Sequence, residues 1–559
     1  MPEKILVTAA LPYANGPLHL GHLAGAYIPA DVYVRYQRLK GSDVIFICGS
    51  DEHGVPITIR ADAERIAPQE VVDRYHVIMK NSFDRLGIRF DNYSRTSLPL
   101  HHRISQDFFL RLYHKGYIRE ESVRQLYCAA CRRFLPDRYI EGECPHCHSP
   151  GARGDLCETC GRWLEPEQLI NPRCKICGAT PEMRETRHWF FRLPEFQKPL
   201  EEWQASKKHW KSNVREFSSG WFSEGLTDRS ITRDIDWGIP VPLEGAAGKV
   251  LYVWFDAPIG YISSTVEWSQ KQNQPELWRR YWCDPQTRLI HFIGKDNIVF
   301  HAIVWPAMLM AHGEFILPDN IPANEFLTIE GKKLSTSRNW AVWVDDYLAV
   351  FPPDPLRYYL SANAPENKDA DFAWKDFQTH NNSELADVLG NLINRSLAFV
   401  EKHFEAKVPA AGELSGEDRA ILGAAEQATR EIGASLEDFQ VRAAVGQLMD
   451  LARKGNKYFN DTAPWTTLKT DRSRCGTTLN TTLQLEAALA VLMEPFLPFS
   501  AERLWNMLNL PGSVHDRLWY ETPKLRLEEY HPLGKKEILF QKIEDPIIEA
   551  QIAKLRGAS

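Results

Sequence analysis

Eight of the eleven cysteines in this 559-residue chain stand in four C-x-x-C pairs, Cys128/Cys131, Cys144/Cys147, Cys157/Cys160 and Cys174/Cys177. No other feature restricts the fold as tightly. Two thiols at this spacing can grip one metal ion, and four pairs supply the eight thiolates of two tetrahedral all-cysteine zinc sites. Nine residues separate Cys147 from Cys157, and Gly-Ala-Arg-Gly-Asp-Leu can turn between them. Cys144, Cys147, Cys157 and Cys160 are therefore expected to hold a first zinc, and the outer pairs Cys128, Cys131, Cys174 and Cys177 a second, nested around it. All-thiolate ligation implies closed, structural sites, since a catalytic zinc keeps an open position. A redox dithiol is the other reading of such a pair. The clustering in a large chain reads as metal ligation rather than disulfides, and Cys48, Cys283 and Cys475 stand alone.

A hydrophobic fraction of 44%, with 35 Pro and 33 Gly spread along the chain, excludes disorder, collagen and coiled coil. The length allows three or four domains at roughly 150 residues each. The longest apolar run, residues 487–493, falls far short of the ~18 residues of a membrane span. The N-terminus has no basic stretch leading into an apolar core and cleavage site, so a cytoplasmic protein is expected. Lys plus Arg minus Asp plus Glu is 66 − 73 = −7, which excludes a nonspecific nucleic-acid coat. It leaves room for local basic patches: Lys332, Lys333 and Arg338; Arg124, Arg132, Arg133 and Arg138; and Arg395.

Along the chain, Ile5, Val7 and Ala9 suggest a strand, followed by an Asn15-Gly16-Pro17 turn. A helical stripe then runs from Leu20 to Leu39, with a kink expected at Pro29, and residues 44–48 form a second apolar strand. Strand, helix, strand predicts a parallel sheet with its ligand site at the carboxyl ends of the strands. A similar unit recurs far downstream: a strand at Leu289–Ile293, a GKDN turn, and a helix from Ile298 interrupted by Pro306. The nucleotide fold is thus read as split. Residues 1–115 form its first half, 116–230 an insertion with the cysteines, 231–325 the second half and 326–380 a connecting segment. Residues 381–535 are expected to be a helix bundle and 536–559 a C-terminal segment.

His19-Leu20-Gly21-His22 falls where the first strand hands over to the helix, so its imidazoles and the free N–H groups of the helix start can face an anion. Alone, two histidines there are ordinary polar or capping groups. A second cluster, Gly331-Lys332-Lys333-Leu334-Ser335-Thr336-Ser337-Arg338, lies 333 − 19 = 314 residues later, and alone it reads as a solvated basic loop. Together they resemble the HIGH and KMSKS signatures of the class I aminoacyl-tRNA synthetases. The blocks AALPYANGPLHLGHL, ICGSDEHG, YVWFDAPIGY, HFIGKDN and APW resemble, in order, the methionyl-tRNA synthetase family. One departure stands out: Thr336 replaces the second Lys of the signature, and Lys332, Lys333 and Arg338 are the candidates to supply its charge.

The resemblance implies an α/β fold: a split Rossmann-like class I catalytic domain with a zinc-knuckle insertion over the active site, followed by an α-helical bundle anticodon-binding domain. It implies activation of L-methionine by ATP and transfer to the 3′ end of tRNA(Met), initiator tRNA included. His19, His22 and Lys333 carry the catalytic roles. The ATP site is His19, Gly21, His22, Gly294, Asp296, Lys332, Lys333, Ser335 and Thr336, with Mg²⁺ arriving on ATP; Asp296 reads equally as a helix N-cap. A methionine pocket needs aromatic and small apolar walls with one or two donors. Leu11, Tyr13, Asp51, Trp254, Ala257, Pro258, Tyr261, Asn297 and His301 match the family positions, Asp51 as partner of the substrate ammonium. Asn297 departs from an apolar position. Asn391, Arg395 and Trp465 correspond to the anticodon readers, groups suited to base edges and stacking. Some relatives carry an appended tRNA-binding and dimerising domain; for the chain as given a monomer is expected. The alternative readings are a class I synthetase for Leu, Val, Ile or Cys, and a non-catalytic zinc-ribbon RNA-binding protein.

Overall fold

A computed structural model describes residues 2–135, 139–154, 157, 159–160, 164, 166–336 and 339–557. Arg138, Ser337 and Arg338, and Asp155 and Leu156 of the expected turn, lie outside the described residues.

The centre is a parallel sheet of β1 (Lys4–Ala9), β2 (Asp43–Ser50), β3 (Asn92–Arg95), β4 (Arg288–Gly294) and β5 (Ala323–Asn324), in the order β5-β4-β1-β2-β3. Val7 of β1 lies between Phe46 of β2 and Ile290 of β4, so the two halves of the split unit meet along β1. Both faces of these strands are covered, which is why they read as apolar runs. Ile5, Val7, Phe46, Cys48, Ile290 and Phe292 enter a core shared with the C-terminal helices, and Leu6, Ile45, Ile47 and Leu289 enter a second core beneath the insertion. The chain order reverses between β1 and β4, and a crevice opens at such a switch point.

The helix after β1 is continuous over residues 20–40 but contains a π-helical turn, Leu23–Tyr27, in which Ile28 N–H bonds Leu23 O. Pro29 has no N–H, so the next carbonyl in that pattern, Ala24 O, lacks a helical donor. Asn324 Nδ2 of β5 donates to it at 3.0 Å. The helix after β4 also has a π turn, at Phe300–Val304, with Pro306 just beyond it; the same pattern would leave His301 O without a helical donor, whereas Gln204 Nε2 donates to the neighbouring Ala302 O at 2.7 Å. The expected kinks are therefore widened turns.

Within the insertion, Ile118–Cys128 pairs antiparallel with Glu182–Phe191, from Ile118↔Phe191 to Tyr127↔Glu182. This long antiparallel pair, flanked by the short strands Arg229–Ser230 and Arg133–Phe134, forms a stalk that carries the cysteines at its far end. The C-terminal helices include Asn391–His403, Gly416–Glu437, Val441–Asp461 and Arg472–Met493; the last is buried throughout from Cys475 onward, as an axle ringed by other helices must be. A π-helical stretch, His380–Gly390, precedes them. Asp545–Gly557 forms a helix returning to the connecting segment, where Lys375 Nζ meets Asp545 Oδ1 and Lys554 Nζ meets Asp346 Oδ2, each at 2.8 Å. A buried ion network ties the first helix to the bundle: Asp31 accepts from Arg35 Nε and Arg357 at 2.7 Å, and Arg35 reaches Glu494. No helix among the described residues is long and apolar enough to cross a membrane.

Candidate active site

The crevice above β1 and β4 has a volume of about 780 Å³, within the range of small-molecule sites. Its floor is the carboxyl ends of the strands, and its sides are the two helix starts.

His19 and His22 stack face to face, ring centroids 3.6 Å apart. Each Nδ1 accepts a backbone N–H of the other, His19 N to His22 Nδ1 at 3.2 Å and His22 N to His19 Nδ1 at 3.4 Å. An accepting Nδ1 leaves the ring proton on Nε2, so both imidazoles are available as donors. Burial, with His22 alongside, holds His19 well below the ordinary imidazole value, and burial lowers His22 to about 4. They are neutral donors at pH 7. Gly21 suits a close approach: a Cβ there would lie 3.1 Å from the His19 ring and 3.3 Å from Leu334, tight for both.

The basic cluster closes the opposite side. Lys332–Lys333 pairs antiparallel with Leu327–Ile329, and Leu20 N–H bonds Val342 O while Val344 N–H bonds Leu18 O, tying the hairpin to the histidine segment. Successive strand residues face opposite ways. Lys333 lines the crevice, whereas Lys332 Nζ lies 4.6 Å over the Trp340 ring and does not. Ser335 and Thr336 are also off the crevice; Ser335 exchanges backbone hydrogen bonds with Trp340.

Gly294 and Asp296 lie at the end of β4, and the Asp296 carboxylate folds back to where a Gly294 Cβ would sit, 2.8 Å away. The turn Lys295–Asn297 starts from Gly294 with no side-chain cap, so the N-cap reading of Asp296 does not hold. Burial raises its carboxyl above the ordinary value.

Leu11, Tyr13, Asp51, Trp254, Ala257, Pro258, Tyr261, Asn297 and His301 all line the same crevice. Tyr13 meets Trp254 edge-on at 6.2 Å. Trp254 stacks on Phe300 at 3.8 Å, a wall the sequence reading missed although Phe300 directly precedes His301. His301 Nδ1 donates to Asn297 O at 3.1 Å, so its Nε2 accepts from Tyr261 O–H at 2.8 Å. Asp51 pairs by backbone with the 12–14 segment and receives His53 N–H at 3.4 Å. Burial, and then the negative charge of Asp256, push its carboxyl well above the ordinary range. Such a group gains by meeting a cation.

In the insertion, Cys128 Sγ lies 3.5 Å from Cys177 and Cys131 3.8 Å from Cys174; Cys144 lies 3.8 Å from Cys160 and Cys147 3.6 Å from Cys157. Tetrahedral Zn–S bonds of about 2.3 Å place two sulfurs about 3.8 Å apart. The two groups of four could each hold a metal ion. Backbone N–H groups point at the sulfurs, Cys131 N to Cys128 and His146 N to Cys144 at 3.4 Å.

Far from the crevice, Arg395 lies 5.0 Å over Phe459 and 5.5 Å over Trp465, with Asn391 one turn earlier on the same helix. Trp465 is 43% exposed, an open stacking face. Asp387, a turn further back, is paired with Lys542 at 2.8 Å.

A parallel sheet split by an insertion, with paired histidines at one helix start and a basic hairpin across the crevice, defines a class I aminoacyl-tRNA synthetase. Residues 5–397 match the family model for tRNA synthetases class I (M), and residues 408–559 that for the anticodon binding domain of methionyl tRNA ligase. The chain is 56% identical over 557 residues to Methionine–tRNA ligase of Bacteroides fragilis, covering 99% of this chain and 81% of the relative. It is 50% identical over 555 residues to that of Pyrococcus furiosus, covering 97% and 76%. The structure of Mycobacterium tuberculosis methionyl-tRNA synthetase in complex with methionyl-adenylate superposes with a TM-score of 0.80 at 28% identity, over 96% of this chain and 99% of that one. The chain belongs to the methionyl-tRNA synthetase family.

Proposed function

We propose that this chain activates L-methionine with ATP and transfers it to the 3′-terminal ribose of tRNA(Met), and that the 780 Å³ crevice is where both steps occur. The observation that carries the reading is the convergence on one crevice of neutral donors, a lysine and an uncompensated carboxylate beside an aromatic pocket. The α-ammonium of methionine pairs with Asp51, and its side chain lies against Tyr13, Trp254, Phe300, Pro258 and Tyr261. One methionine carboxylate oxygen then attacks the α-phosphorus, and the bond to the bridging oxygen breaks to release pyrophosphate. The Nε2–H groups of His19 and His22 donate to phosphate oxygens while Lys333 stands opposite; donors of this kind contribute about 2.7–4 kcal/mol each. Asp296 and Gly294 suit the ribose side. In the second step a terminal ribose hydroxyl attacks the carbonyl carbon and AMP leaves. Mg²⁺, carried on the ATP phosphates, supplies charge neutralisation.

The sulfur spacings support zinc at both four-cysteine groups, where it would fasten the end of the stalk. Two zinc ions per chain are expected by metal analysis, falling to one in Cys157→Ser. On the bundle, Asn391, Arg395 and the open face of Trp465 are read as the anticodon contacts.

ATP–pyrophosphate exchange with single amino acids tests the assignment: exchange with methionine, and charging of tRNA with methionine, are expected. Exchange with leucine, valine, isoleucine or cysteine in its place would overturn the substrate, and no exchange with any amino acid would overturn the enzyme.

A further inference from the structure

Behind the amino-acid pocket lies a polar cluster that the proposed chemistry does not use. Asp256 stands in the first turn of the helix Val253–Lys271, between Trp254 and Ala257 of the pocket wall, and is 0% exposed. Its Oδ2 meets His53 Nδ1 at 2.7 Å and His101 Nε2 at 3.4 Å. His101 Nδ1 returns to Ser263 Oγ of the same helix at 2.8 Å, and Asp256 Oδ1 is buried without a partner among the described residues. Burial pushes this carboxyl up, but the charges and hydrogen bonds of His53 and His101 outweigh it and hold it below the ordinary range. His53, His101 and Asp256 also stand close enough together to hold a metal ion, but the 2.7 Å His53–Asp256 spacing is that of a hydrogen bond: two ligands of one tetrahedral ion, at bonds of ~2.0 Å, would lie about 3.3 Å apart.

Each link leads to the crevice. His53 follows Asp51 by two residues, and its own backbone N–H donates to Asp51 Oδ1. The residue between them is held as firmly: Glu52 is fully buried, accepting from Ser50 Oγ at 2.6 Å and Arg95 Nε at 2.8 Å, and its carbonyl takes Trp237 Nε1 at 2.6 Å. A buried ionised group placed like Asp256 is costly unless it is paired, and its pairing here joins the Asp51 loop to the pocket helix.

We propose that Asp256 is the positioning residue of the amino-acid site. By holding His53 and His101 it sets the span between the Asp51 carboxylate, which receives the ammonium, and the helix face of Trp254, Ala257, Pro258 and Tyr261, which receives the side chain. That span selects methionine over shorter aliphatic amino acids. The inference rests on the functional reading above.

The test is methionine-dependent ATP–pyrophosphate exchange in the full chain. Asp256→Asn keeps the shape and removes the charge; because a misplacement of ~1 Å can cost about 10²-fold, it is expected to raise the methionine KM about tenfold or more, with the ATP KM changed less than about twofold. The kcat/KM preference for methionine over leucine falls several-fold. His101→Gln, which loses one arm only, moves both quantities the same way by less. A fall in kcat with the methionine KM and the preference unchanged marks a merely structural role and overturns the proposal, as does no change in either variant. Should Asp256→Asn fail to fold, His101→Gln decides by the same criteria. Wild type is assayed alongside: absence of methionine exchange there refutes the functional reading, whereas normal wild-type exchange with unaltered variants refutes the positioning role alone.

Discussion

The helix that follows β1 and the helix that follows β4 enter the same crevice, widen into π turns at Leu23–Tyr27 and Phe300–Val304, and carry Pro29 and Pro306 just beyond. In each a side-chain amide donates to a carbonyl inside the π turn, Asn324 to Ala24 O, which Pro29 leaves without a helical donor, and Gln204 to Ala302 O. What they present differs. The first shows two imidazoles whose Nδ1 atoms are committed to the backbone and whose Nε2–H groups are left for an anion. The second shows Asp296 and a histidine with both nitrogens in use, groups suited to hydroxyls and to shaping an apolar pocket. One backbone device therefore serves two halves of opposite electrostatic character, and a π turn suits this purpose because it re-aims side chains without ending the helix.

The largest blow to this contrast is His22→Ala, which removes a donor and half of the reciprocal cap. Methionine-dependent exchange is expected to fall about 10²–10³-fold with zinc content unchanged; activity near wild type would remove the first half from the phosphates. Next, Lys333→Ala should cost about 10²-fold in the exchange rate and Lys332→Ala less than about threefold, because only one of two adjacent strand residues can face the crevice. Equal losses would mean that the hairpin turns over when ATP binds.

Thermal unfolding compares the two amide clamps. Asn324→Leu leaves Ala24 O unpaired and also takes an acceptor from Lys211, whose Nζ lies 2.9 Å from Asn324 Oδ1. A loss of about 1–3 kcal/mol is expected, against about 1 kcal/mol for Gln204→Leu. Reversal of that order would place the more important clamp in the second half. A further effect is in acid. Burial lowers His301 to about 4, from 6.5 in an unfolded chain. Between these values the unfolded chain binds a proton that the folded chain does not, so stability falls as pH drops from about 6.5 to about 4. In His301→Gln that fall should be shallower, and an unchanged slope would mean that the folded ring is already protonated.

What was legible in the sequence was what depends on local spacing. The cysteine pairs, the paired histidines and the lysine hairpin each place their groups within a turn or two of chain, so their chemistry could be read without tertiary contacts. The split sheet was legible too, because strands buried on both faces must be apolar. The pocket residues were not readable in that way: aromatics near Pro and Gly are core more often than pocket, and only resemblance to a family singled them out. Phe300, Asn324 and Asp256 carried no signal, since each acts through a partner between 46 and 300 residues away. The helix Asp545–Gly557 was read only as a terminal segment, for its purpose is to pack against residues near 346 and 375.

The amino-acid sequence by itself determined the chemistry available to this protein: thiolates at ion-binding spacing, imidazoles at a helix start, a lysine pair, and apolar strands able to form a parallel sheet. Only the tertiary structure decided which lysine faces the crevice, which side-chain amides serve the carbonyls of the two π turns, and which buried carboxylate meets histidine while another waits for a cation. The reason is physical. Spacing along the chain limits which groups can meet locally, but desolvation and pairing depend on everything packed around a group, and much of that comes from distant parts of the chain.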